Sequence, residues 1–144
     1  MFLRKKLSEI DLKHIFRPDV SNRGNVKITG FHLDRDKKLQ NEGYFDVETK
    51  QSKGHVHESE FTLPGTDIKK ESTHFPAHWS YKKAAKRILE VYHHSSSKIE
   101  PSPTKKDVYF IQGNTKGGIT IEVIYNNKSQ KIETAYPVIE NKKL

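Results

Sequence analysis

The chain contains no cysteine. That excludes disulfides, thiolate metal sites and a cysteine nucleophile together, and leaves the protein indifferent to the redox state of its compartment. Long apolar runs are missing too: only 33% of the residues are hydrophobic, and no stretch is long enough to span a bilayer. The opening MFLRKKL is basic but lacks the apolar segment of a secretory signal. Any export is therefore expected to be directed by sequence outside this chain. Acidic residues are the scarcer charge, with 18 Asp+Glu against 26 Lys+Arg and a formal net charge of +8. Such an excess favours polyanionic partners, chiefly nucleic acid, or an acidic protein. No internal repeat, Walker loop, dinucleotide-binding glycine pattern or GxSxG elbow occurs.

What is present reads as one domain, residues 1–144, long enough to bury roughly two-thirds of its unfolded surface. Leu7, Ile10, Leu12, Ile15 and Phe16 are spaced for a short amphipathic helix over 4–16, which Pro18 closes. A loop over 19–25 then leads into a strand, VKITGFH, over 26–32. The charged segment 33–43 reads as loop. Strands are expected over 44–49 and 55–62, with a further loop over 64–70. Ser80 is a natural N-cap for a helix over 81–94 whose apolar stripe is Ala84, Ala85, Ile88, Leu89 and Tyr92. Residues 95–106, SSSKIEPSPTKK, read as exposed loop.

Two alternating runs, 118–125 and 131–139, flank an Asn-Asn turn and form a hairpin. Period-two alternation puts Ile119, Ile121, Val123 and Tyr125 on one face of the first strand. It puts Ile132, Thr134, Tyr136 and Val138 together on the second. Thr134 and Tyr136 thus bring a hydroxyl and an aromatic ring side by side, a pairing that packing alone also produces.

Eight histidines carry most of the candidate chemistry. His14 and His32 flank the Pro/Asp/Ser/Asn/Arg/Gly loop. Two imidazoles joined by one turn of chain suffice for acid–base work near neutral pH, because His titrates there unperturbed. In a chain this rich in histidine, one suggestive pair also arises by chance. On a strand, His55 and His57 point to one face and could supply two metal ligands, but no third ligand stands at useful spacing. The basic residues Lys82, Lys83, Lys86 and Arg87 on the helix are read as a solvated face in preference to an RNA-binding one.

Five pieces in order then match one family. KHIF with His14, VKITGFH with His32, STHFPAHWS opening a helix, GNTKGGITIEVIY and the late IETAYP make the chain resemble the EndoU ribonucleases, in particular their bacterial toxin branch. The resemblance runs from about Lys13 to Val138. It implies an α+β fold with N-terminal helices packed on antiparallel sheet. It implies His14 and His32 as the acid–base pair, without deciding which is base and which acid. Thr134 and Tyr136 would shape the nucleotide site, and a third basic residue would be Lys70 or Arg35. The implied reaction is cleavage of single-stranded RNA at uridine-containing sites, with transfer RNA among the possible targets and no metal or other cofactor. The implied partners are that RNA and an acidic immunity protein, with no membrane and the domain acting as a monomer. Such domains are secreted or surface-delivered as part of a larger protein and act in the target-cell cytoplasm. Two other classes remain in view: a non-catalytic RNA-binding module, and a metal-dependent hydrolase built on His55, His57 and His74.

Overall fold

The computed structural model describes residues 10, 15–21, 27–94 and 97–139; for 19–21 and 27–29 only the backbone is considered. Among the described residues nine strands form three antiparallel sheets. β1 (Pro18–Ser21) pairs with β2 (Lys27–Gly30). β3 (Asp46–Lys53), β4 (Val56–Thr62) and β5 (Lys69–His74) form the second sheet in sequence order. β6 (Lys98–Pro101), β7 (Val108–Asn114), β8 (Thr120–Asn126) and β9 (Lys131–Val138) form the third, likewise in order. Among the described residues the longer helical segments are α1 (Lys38–Asn41), entered through a 3₁₀ turn over Arg35–Lys37, and α2 (Tyr81–His93), and Ile15 and Phe16 are also helical.

α2 forms where its periodicity predicts. The Ser80 hydroxyl accepts from the Lys83 N–H at 3.0 Å, satisfying one of the donors a helix start leaves open. Ala84, Ala85, Ile88, Val91 and Tyr92 are buried against β7 and β8, while Leu89 is only half-buried at the stripe's edge. The facing sheet supplies Ile111, Ile121, Val123, Tyr125, Ile132 and Ala135 to this main core. A smaller core of Phe31, Phe45 and Phe61 sits beneath the second sheet, closed by Leu39, Leu63 and Ile68.

Several expectations are corrected. Among the described residues the fold is mostly antiparallel sheet with its long helix mid-chain, a poor match to N-terminal helices packed on a sheet. Most of the helix expected over 4–16 lies outside the described residues; its last two positions, Ile15 and Phe16, are helical and fully buried. Residues from Pro18 to Ser21 are strand because β2 pairs with them. The segment 33–43 holds α1, which at four residues is too short for a periodic pattern and is capped from a distance. The Asp34 carboxylate accepts from the Leu39 and Gln40 N–H groups at 3.0 and 3.1 Å. The loop expected over 64–70 gives way at Lys69 to β5, which pairs with β4, and β6, within the stretch 95–106 expected as a Pro/Ser/Lys-rich loop, is a strand through pairing with β7.

The last hairpin carries the most consequential correction. Its register slips at Glu133, so that Tyr125 faces Ile132 while Ile124 faces Thr134. A bulge of this kind reverses which side chains face the core beyond it. Ile132 and Ala135 are therefore buried on the core face, and Thr134, Tyr136 and Val138 lie together on the opposite one.

Candidate active site

β5 is the edge strand of the second sheet and β9 of the third, and β5 lies against both β2 and β9. The segment leaving β2, Gly30-Phe31-His32, is delivered into this junction. Gly30 and Phe31 both have positive φ, +72° and +68°. Glycine adopts that conformation freely, but a phenylalanine there costs on the order of 1 kcal/mol or more and persists only where its surroundings over-determine it.

The surroundings do so. Phe31 is wholly buried, with ring centroids of Phe45, Phe61 and His74 at 5.0, 4.8 and 4.5 Å. The Ser72 hydroxyl donates to the Phe31 carbonyl at 2.9 Å, and Lys70 Nζ donates to the Gly30 carbonyl at 2.7 Å. The Phe75 N–H donates to the His32 carbonyl at 2.8 Å. Alternate side chains of β5 thus grip the turn that precedes His32.

The His32 ring is buried, and its Nδ1 lies 3.0 Å from the Thr73 carbonyl and 3.1 Å from the Ser72 hydroxyl. A carbonyl can only accept, so Nδ1 carries the proton and Nε2 is the nitrogen whose protonation can change. The Tyr136 ring centroid is 5.3 Å from that of His32. Its hydroxyl donates to the carboxylate of Glu122, its cross-strand neighbour. Burial, and after it this carboxylate, push the Tyr136 phenol well above its ordinary pKa, so it remains neutral. His32 and Tyr136 line one open cavity of about 250 Å³ together with Glu58, Glu71, Ser72 and Thr73. Such a wall offers a switchable nitrogen, an aromatic face and a fixed hydroxyl to one ligand.

The other expected site residues are placed variously. Lys70 reaches the backbone two residues before His32, and burial lowers its pKa. Arg35 is exposed and lines a different cavity, about 850 Å³, with Arg17, Tyr44 and Tyr81. Thr134 is half-buried on the same face of β9 as Tyr136. His14 lies outside the described residues.

Of the histidines read as metal ligands, the fold pairs His57 with His74 and sets His55 in a turn. His55 sits in the β3–β4 turn, not on the strand, and its ring contacts His78 at 5.1 Å. His57 instead faces His74 across β4 and β5. Among the described residues no group of three His, Asp or Glu side chains could hold a metal ion. Ser72, Thr73, Glu58, Glu71 and Glu122 were not singled out from the sequence. Only Glu122 had a local signal, as a lone acid within the apolar run ITIEVIY, and its partner depended on the bulged register.

Comparison with known proteins adds three findings. The model of a family described as "Bacterial EndoU nuclease" matches residues 8–139. Among curated proteins no sequence matches. Among solved structures the fold is similar to "The structure of XendoU: a splicing independent snoRNA processing endoribonuclease", with a TM-score of 0.51 and 15% sequence identity. That similarity covers 92% of this chain and 47% of the other, so the chain spans about half the length of that protein.

Proposed function

Since the chain belongs to the bacterial EndoU nuclease family, we propose that it is a metal-independent endoribonuclease cleaving single-stranded RNA at uridine-containing sites. The observation that carries this reading is His32, held through Nδ1 by β5 with Nε2 as its titrating atom, sharing one open cavity with Tyr136. In the reaction the ribose 2′-oxygen attacks the adjacent phosphorus as its proton passes to one neutral imidazole. The P–O5′ bond breaks, and the second imidazole, protonated, gives its proton to the departing O5′. The products carry a 2′,3′-cyclic phosphate and a free 5′-hydroxyl. Each proton transfer contributes about 10²–10⁴-fold. His32 supplies one imidazole and His14 the other.

Lys70 is the better supported of the two cations, because it already bonds the Gly30 carbonyl beside the site while Arg35 lines another cavity. Its charge would stabilise the non-bridging oxygens as the phosphorane forms. Tyr136 stacks on ribose or base, and Thr134 hydrogen-bonds the pyrimidine edge. A single strand exposes those groups and a duplex hides them. On the same reading the domain is the toxic part of a larger delivered protein, acting on RNA in a target cell and restrained by an acidic immunity protein. The net charge of +8 suits both partners.

The test is incubation of a short uridine-containing RNA with the protein in EDTA, followed by analysis of the fragment ends. Cyclic phosphate ends are expected, with at least about a hundredfold loss of rate in His14→Ala and in His32→Ala. Undiminished cleavage by both folded variants would sink the assignment.

A further inference from the structure

A further cavity, about 450 Å³, opens where the β3–β4 turn meets the loop leading into α2 and the β7–β8 connection. Its character differs from that of the His32 cavity. Lys53, His55, His78 and Lys83 are all exposed along it, and no carboxylate lines it. Lys83 Nζ lies 5.1 Å from the centroid of the Trp79 ring, a cation–π distance that fixes the ammonium over the groove wall. The rings of His55 and His78 come from separate segments and meet at 5.1 Å and 80°. The groove therefore combines two cations with exposed aromatic edges and faces, a combination suited to a phosphate and an unstacked base.

It also adjoins the site already described. Val56 and Val138 line it, two residues along β4 and β9 from Glu58 and Tyr136, which line the His32 cavity. Side chains two apart on a strand share a face and stand about 7 Å from one another. An extended polynucleotide crosses that spacing with a single nucleotide.

We propose that this groove is a second RNA subsite, taking a nucleotide that flanks the scissile phosphate. Its phosphate lies against Lys53 and Lys83, and its base against the His55–His78 ring pair. The inference rests on the endoribonuclease reading and assigns that enzyme a substrate longer than the dinucleotide it cuts.

The probe is an RNA of about eight nucleotides carrying 2′-deoxyuridine at the scissile position, which binds but cannot be cleaved, followed by fluorescence anisotropy. Lys53→Ala/Lys83→Ala and, separately, His55→Ala/His78→Ala are each expected to weaken binding about tenfold. Lys105→Ala/Lys106→Ala removes the same charge from exposed positions before β7 and is expected to weaken it less than about twofold. With cleavable RNA, both groove variants should lose far more rate on the octamer than on a dinucleotide. Groove variants that bind and cleave the octamer like the lysine control would overturn the subsite while leaving the endoribonuclease reading intact. That is also the outcome if the groove serves a protein partner. A wild-type protein that neither binds nor cleaves RNA would overturn both.

Discussion

His74 shows at the scale of one residue what the grip on the Gly-Phe-His turn costs. Its ring is stacked on Phe61 and edge-on to Phe31, and its Nε2 is buried with no hydrogen-bond partner. Burial first, then the neighbouring His32, lower its pKa from the ordinary 6.5 to about 3, against a smaller opposing pull from the Phe31 backbone. Folded protein thus keeps His74 neutral under conditions in which an unfolded chain would protonate it. Its contribution to stability is complete above pH 6.5 and is lost as the pH falls from there towards about 3. Urea unfolding across that window is expected to show uptake of about one extra proton on unfolding. His74→Gln, which cannot titrate, should flatten the response.

At the scale of the element, α2 and β9 set the geometry in different ways. α2 is locally encoded, since its cap and its apolar stripe lie within its own sequence. Ser80→Ala removes the bond to the Lys83 N–H and is expected to cost about 1 kcal/mol of stability. Thermal denaturation reads that as a lowered midpoint with the fold unchanged. β9 is not locally encoded. Simple alternation aligns Tyr136 with Ile132, and the slip at Glu133 is what separates a buried Ile132 from an open Tyr136. A strand reading of IETAYP therefore groups the right pair, Thr134 and Tyr136, with the wrong neighbour.

Across the whole molecule the cationic excess is unevenly spread. Glu48, Glu60 and Glu71 stand in register across β3, β4 and β5, a row of like charges offset by Lys50 at 3.3 Å from Glu48 and Lys69 at 3.7 Å from Glu60. Glu71 of that row lines the His32 cavity together with Glu58, whereas no carboxylate lines the groove of Lys53 and Lys83. RNA affinity is expected to fall linearly with salt on logarithmic axes, by about 0.7 in slope for each phosphate neutralised. Losing Lys53 and Lys83 together should take about 1.4 off the magnitude of that slope. Titrations of the uncleavable RNA at several salt concentrations measure it directly. Among the described residues no helix is long and apolar enough to cross a membrane.

Chain composition and local pattern determined the charge, the absence of thiol chemistry, α2 with its Ser80 cap and the last hairpin, while the family resemblance marked His32 and Tyr136 as site candidates. The helix and the hairpin are set by residues close to one another in the chain, where periodicity and turn chemistry act. Only the tertiary structure decided that β5 closes the site from below, with Ser72 and Lys70 bonded to backbone about forty residues away. It alone parted His55 from His57 and set Arg35 on another cavity. The physical reason is that an unfavourable turn such as Gly30-Phe31 has no stability of its own. It exists because burial of three phenylalanines and the hydrogen bonds of a distant strand outweigh its strain, and no local pattern records that balance.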